Sequence, residues 1–139
     1  MRTLIKNVTI LTMNEHFDVI EDGQMLIDDE NIIEIGKTCV QKYDQCIDGH
    51  HGILLPGMIN IHTHLGMIPF RGLGDDCPDR LRRFLFPLEN ACMTSELVVA
   101  STKYAMAEML LGGVTCVADM YYFEDAVTRQ QVRWGCGPC

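Results

Sequence analysis

Positive charge is scarce in this sequence of 139 residues: 11 Lys and Arg stand against 19 Asp and Glu, a formal net charge of −8 at pH 7. Nucleic acids and anionic membranes both demand clustered Lys and Arg, so neither is an expected partner. The one dense basic run, Arg80, Arg82 and Arg83, is interrupted by Leu81 and reads as a solvated helix face. Long apolar runs are also missing. None approaches the ~20 residues of a membrane span, and Met1 to Lys6 carries charge without the apolar stretch of an export signal. The cytoplasm is therefore the expected compartment, and the seven cysteines are expected to be reduced thiols rather than a disulfide framework. Cys39, Cys46, Cys77, Cys92 and Cys116 form no Cys-x-x-Cys pair; Cys136 and Cys139 do. There are no internal repeats and no low-complexity segments, and no histidine follows His64.

What remains is ordinary for a globular chain, with 47% apolar and 22% charged residues. Residues 1–55 read as short strands divided by turns. Leu4 to Leu11 is rich in β-branched residues, and Gln24 to Ile27 and Asn31 to Ile35 repeat the theme between Asp22-Gly23, Asp28-Asp29-Glu30 and Gly36. This pattern suggests a small β-sandwich lobe. The style changes at Leu54-Leu55-Pro56-Gly57, and residues 56–128 form a second region. Met58 to His64 is an apolar strand. Thr94-Ser95-Glu96 supplies a cap and a first-turn acid for a helix running to Leu111, stopped by Gly112-Gly113. Val114 to Asp119 is a second buried strand, so the region reads as a βαβ unit with parallel strands.

The chemistry sits at the end of the first of these strands. Side chains alternate across a strand, so Asn60, His62 and His64 share one face while Ile59, Ile61 and Thr63 share the other. Histidines two apart lie about 6.6 Å from each other at Cα, and their imidazoles can lean onto one zinc at about 2.0–2.1 Å. A bare His-x-His recurs by chance. Here it ends an apolar strand, follows a Pro-Gly turn and follows a β-rich lobe.

Taken together, Leu55-Pro56-Gly57-Met58-Ile59-Asn60-Ile61-His62-Thr63-His64, Phe70-Arg71-Gly72-Leu73, Phe86-Pro87-Leu88-Glu89 and Gly112 to Tyr122 resemble the amidohydrolase superfamily. The likeness is to its hydrolytic deaminases and chlorohydrolases, which act on purines, nucleosides, pyrimidines and triazines, and it covers roughly residues 3 to 128. It implies an α/β fold built on a (β/α)8 barrel that holds one divalent metal, zinc or alternatively iron, with His62 and His64 as two ligands. In methylthioadenosine/S-adenosylhomocysteine deaminases, which this chain looks most like, the glutamate of a Pro-x-Glu segment binds the ribose hydroxyls, and Glu89 occupies that place. As a residue alone, Glu89 reads equally as a surface acid at a helix start. Arg71 either contacts substrate or braces the loop after the first strand. Asp119 either lines the site or serves as a hydrogen-bonding neighbour. His50 and His51 fall in a turn and His16 has no partner in view.

Much of the implied site is missing. The family's further histidines, its Glu proton shuttle and its Asp ligand come from later strands, and a complete barrel takes about 250 residues. The expectation is an incomplete TIM-type barrel, its first two strands preceded by the β-sandwich lobe. It would be the N-terminal fragment of a zinc-dependent amidohydrolase that deaminates or dechlorinates a small heterocyclic ring, inactive by itself. The alternative is a non-catalytic module, standing alone or completing a barrel in trans, with a vestigial metal pair. Relatives of this kind are often dimers or larger, which leaves a homo-oligomer open. Residues 129–139 are atypical for the family. With one choice of codons, a single inserted nucleotide turns Arg133 to Cys139 into Glu-Val-Gly-Met-Arg-Ala-Val, a family-like continuation. The tail is therefore read as frameshifted, and Cys136-x-x-Cys139 as an accident of frame.

Overall fold

The computed structural model describes residues 1–135 and the backbone of residues 137 and 138. The reading of Cys136 and Cys139 lies outside the described residues. Two compact units divide the chain, Met1–Pro56 and Gly57–Cys139.

The first unit holds β1 (Arg2–Leu11), β2 (Val19–Asp28), β3 (Asn31–Gly36) and β4 (Gln45–Leu54) in one sheet of order β3-β2-β1-β4. β1 and β2 pair antiparallel, as do β2 and β3, whereas β4 runs parallel to β1. Val8, Ile10 and Met25 are buried and pack with Ile20, Ile27 and Leu54, which fixes the register by setting one apolar face inward. The expected sandwich is not formed among the described residues. All four strands are used side by side in a single sheet, so none is left for a second layer. β4 was not legible as a strand: Gly49-His50-His51-Gly52 has poor β-propensity, and His50 and His51 take φ of 50° and 59°. A break in the pairing between Lys6 and Val8 absorbs these residues as a bulge. His50 and His51 thus lie inside a strand, with exposed side chains, rather than in a turn ahead of the second unit.

In the second unit β5 (Met58–Thr63) leads through a 3-10 turn (Leu65–Phe70), a π-helical turn (Leu81–Leu85) and α1 (Phe86–Cys92) into α2 (Ser95–Leu111). β6 (Val114–Asp119), α3 (Glu124–Arg133) and the two-residue β7 (Gly137–Pro138) follow. The strands lie in order β5-β6-β7, all parallel. A short third strand therefore joins the expected two. Thr94 caps α2, its hydroxyl accepting from the Leu97 amide at 3.2 Å, and Gly113 follows Gly112 at φ 84°, where a side chain would strain the backbone. The apolar circumference of α2 is explained by its neighbours. Val98, Ala105 and Met106 are buried with Leu65, Val117 and Val127, so the helix is wedged between the 3-10 turn, β6 and α3.

No helix among the described residues is long and apolar enough to cross a membrane. Cys39, Cys46, Cys77 and Cys92 are free thiols, as expected, but Cys116 is disulfide-bonded.

Candidate metal centre

β5 ends at Thr63, and its alternation delivers His62 and His64 to the same side of the strand mouth. Their rings stand edge to face, with centroids 5.0 Å apart and planes at 73°. The two Nε2 atoms approach to 3.3 Å. A tetrahedral ion about 2.0–2.1 Å from each of two nitrogens holds them about 3.3–3.4 Å apart, so the pair already has the spacing that a shared ion requires.

The protons are placed by the neighbouring strand. Nδ1 of His64 lies 2.6 Å from the carbonyl oxygen of Met120, a contact that only an N–H can make. The proton of His64 is therefore on Nδ1, and its Nε2 keeps the lone pair that a metal needs. With that nitrogen an acceptor, the Nε2–H of His62 is the donor between the rings. An ion would take this proton's place. The His62 amide donates to Asn60 Oδ1 at 3.1 Å, which steadies the last turn of the strand.

Asp119, at the end of β6, accepts the Leu65 amide on Oδ1 at 3.0 Å, and its Oδ2 is buried without a hydrogen-bond partner. Burial is the main influence on its carboxyl and pushes its pKa up, against the Leu65 N–H, which favours the anion. A cavity of about 220 Å³ opens here, lined by His62, His64, Asp119 and Met120. A second, of about 340 Å³, lies beside His64 and is lined by Met67, Ile68, Arg71, Arg80 and Met109 among others. Among the described residues no group of three or more His, Cys, Asp or Glu converges on one point.

Glu89 is not a surface acid. It is 5% exposed, and its Oε1 accepts the Tyr121 hydroxyl at 2.6 Å. Burial, then the hydrogen bond to Glu89 and its negative charge, push the Tyr121 phenol above its ordinary range, so the hydrogen stays on tyrosine and the bond keeps its direction. The Tyr121 ring also stands 6.0 Å from that of His64, which links Glu89 to the histidine pair through one side chain. Tyr121 went unnoticed in the sequence as a site residue. The available signal was its parity with Asp119 just beyond a strand end. Removing the hydroxyl with Tyr121→Phe is expected to strip a donor from a buried carboxylate and destabilise the second unit by roughly 1–3 kcal/mol, read by urea unfolding.

Arg71 holds Glu108 of α2 through one nitrogen, at 3.0 and 2.9 Å to the two carboxylate oxygens, while about three-fifths of its side chain is exposed. Glu108 in turn raises the Arg71 pKa. This contact ties the loop after β5 to α2. His16 lies near Glu15, and His50 and His51 lie near Asp48 and Asp22, all three exposed and all in the first unit.

Known proteins resemble this chain in sequence and in fold. A 5-methylthioadenosine/S-adenosylhomocysteine deaminase of Syntrophomonas wolfei is 40% identical over 133 residues, spanning 93% of this chain and 31% of its own length. A 5'-deoxyadenosine deaminase of Methanococcoides burtonii is 38% identical over 128 residues, spanning 91% of this chain and 29% of its own. The crystal structure of an adenosine deaminase from Xanthomonas campestris with bound zinc superposes with a TM-score of 0.91 at 29% identity, over 98% of this chain and 32% of that one. The chain thus spans less than a third of the length of each. The profile of the Amidohydrolase family matches residues 53–138, which takes in both histidines, α2 and β6. This chain belongs to the amidohydrolase family.

Proposed function

We propose that the chain carries the first two metal ligands and part of the nucleoside pocket of a zinc-dependent hydrolytic deaminase for adenosine-type substrates. The observation that carries this reading is the 3.3 Å approach of the two Nε2 atoms. Support for the substrate class comes from the two relatives of 38% and 40% identity, both named for deaminating adenosine derivatives. Zinc is favoured over iron because imidazole suits both metals and the superposed adenosine deaminase holds zinc.

His62 and His64 would hold the ion, His64 through an Nε2 freed by the Met120 carbonyl. An ion held there supplies Lewis acidity, lowering the pKa of water towards neutrality. In the reaction class a water oxygen replaces the exocyclic amine, which departs as ammonia. Glu89, buried and oriented by Tyr121, would accept hydrogen bonds from the ribose hydroxyls and so set the ring over the histidine pair. Arg71 would hold the loop above β5 through Glu108 rather than touch the substrate. Catalytic zinc uses three protein ligands, and no third joins the pair among the described residues, so the chain by itself is expected to turn nothing over.

A chimera tests the reading directly. Residues 1–128 would replace the matching part of the Syntrophomonas wolfei deaminase, and conversion of 5'-methylthioadenosine would be followed by the ultraviolet change from an adenine to a hypoxanthine ring. Turnover by the chimera and none by the isolated chain is the expected result. A folded, zinc-loaded chimera inert towards every adenosine derivative would sink the proposal.

A further inference from the structure

We propose that Asp119 is a positioning residue that sets His64 for metal binding before any ion arrives; this rests on the metal reading above. The end of β6 grips the end of β5 at three successive points. The Met120 amide donates to the Thr63 carbonyl at 3.3 Å, the Met120 carbonyl accepts from His64 Nδ1 at 2.6 Å, and Asp119 Oδ1 accepts from the Leu65 amide at 3.0 Å. His64 is thus bracketed. Its ring is held by the Met120 carbonyl just past β6, and the chain on either side is held by the Met120 amide and by the Asp119 carboxylate.

The Leu65 contact is the decisive one. Leu65 is 1% exposed and anchors the core under α2, so the peptide between His64 and Leu65 must leave the strand at a fixed angle. Leu65 lies beyond the end of β5, and the Asp119 carboxylate at the end of β6 is the acceptor that receives its N–H. Without that acceptor the peptide can turn, and the His64 ring loses its place against Met120. The mobile imidazole could then carry its proton on either nitrogen. With the acceptor in place, Nε2 is unprotonated and stands 3.3 Å from Nε2 of His62, at the separation of two ligands on one ion. A carboxylate that works through the backbone in this way touches neither the ion nor the substrate.

The test uses the 139-residue chain as it stands. Long-range proton–nitrogen spectra of the uniformly labelled protein, at mildly alkaline pH without metal, report the tautomer of each histidine. His64 is expected as the Nδ1–H tautomer alone, while His16, His50 and His51, exposed and in the first unit, give mixtures and act as internal controls. In Asp119→Ala the His64 signal should become a mixture, and zinc should bind about 10–100-fold more weakly when titrated on the same signals. Asp119→Asn keeps an oxygen for Leu65 and should recover most of both. A single His64 tautomer and undiminished zinc affinity in a folded Asp119→Ala chain would overturn the proposal. So would a mixed His64 tautomer in the unaltered chain, a result that does not depend on any variant folding. Zinc that leaves the His62 and His64 signals of the unaltered chain unmoved would instead overturn the metal reading, with the tautomer result still deciding the role of Asp119.

Discussion

Alanine at His62 or His64 in the chimera is expected to cut kcat/KM for 5'-methylthioadenosine by more than about 100-fold, since residues that merely orient a ligand already cost 10–100-fold. Zinc content, measured on the purified protein, should fall with it. The two variants should differ in a second respect. His64 has a backbone partner as well as its ring neighbour, so His64→Ala also gives up the bond to Met120 and destabilises the second unit by about 0.5–1.5 kcal/mol. His62 is exposed, and its ring nitrogens meet only the His64 ring among the contacts described, so His62→Ala should leave unfolding nearly unchanged. A chimera that keeps its zinc and its rate without His62 would remove the foundation of the metal reading.

How much of this was legible in the sequence depends on whether the determining interactions were local. The helix from Ser95 to Leu111 was read with its limits, because a Thr94 cap and a Gly112-Gly113 stop are written in adjacent residues. The common direction of His62 and His64 followed from strand parity alone. β4 was hidden because Gly49 to Gly52 opposes a strand locally, and only pairing with β1, some forty residues earlier, overrides it. The sandwich failed for a related reason: alternation identifies strands but not which of them become neighbours, and these four became one sheet. β7 is two residues long, too short for any periodicity to mark it. Glu89 shows the same limit at the site. Its place four residues into a helical stretch is compatible with a surface, and the partner that makes it a buried acceptor, Tyr121, is thirty-two residues away.

Glu89→Gln, in the same chimera, separates a ribose acceptor from a structural acid. Glutamine has nearly the shape of glutamate and keeps a carbonyl oxygen for the Tyr121 hydroxyl, so the local packing should survive. What disappears is the charge. Hydrogen bonds to a charged group contribute about 1.5–3 kcal/mol, and their loss corresponds to about 10–150-fold in kcat/KM. If Glu89 meets the ribose, the whole of that fall should appear with substrates that carry the vicinal hydroxyls and vanish with free adenine, which has no sugar to bind. The loss should divide between KM and kcat, because a sugar held loosely also lets the ring wander from the histidine pair. Tyr121→Phe should reproduce part of the same selectivity, since an unanchored carboxylate still carries its charge but no longer a fixed direction. An equal fall for nucleoside and free base would mean that Glu89 serves the fold, with Tyr121 its only partner that matters.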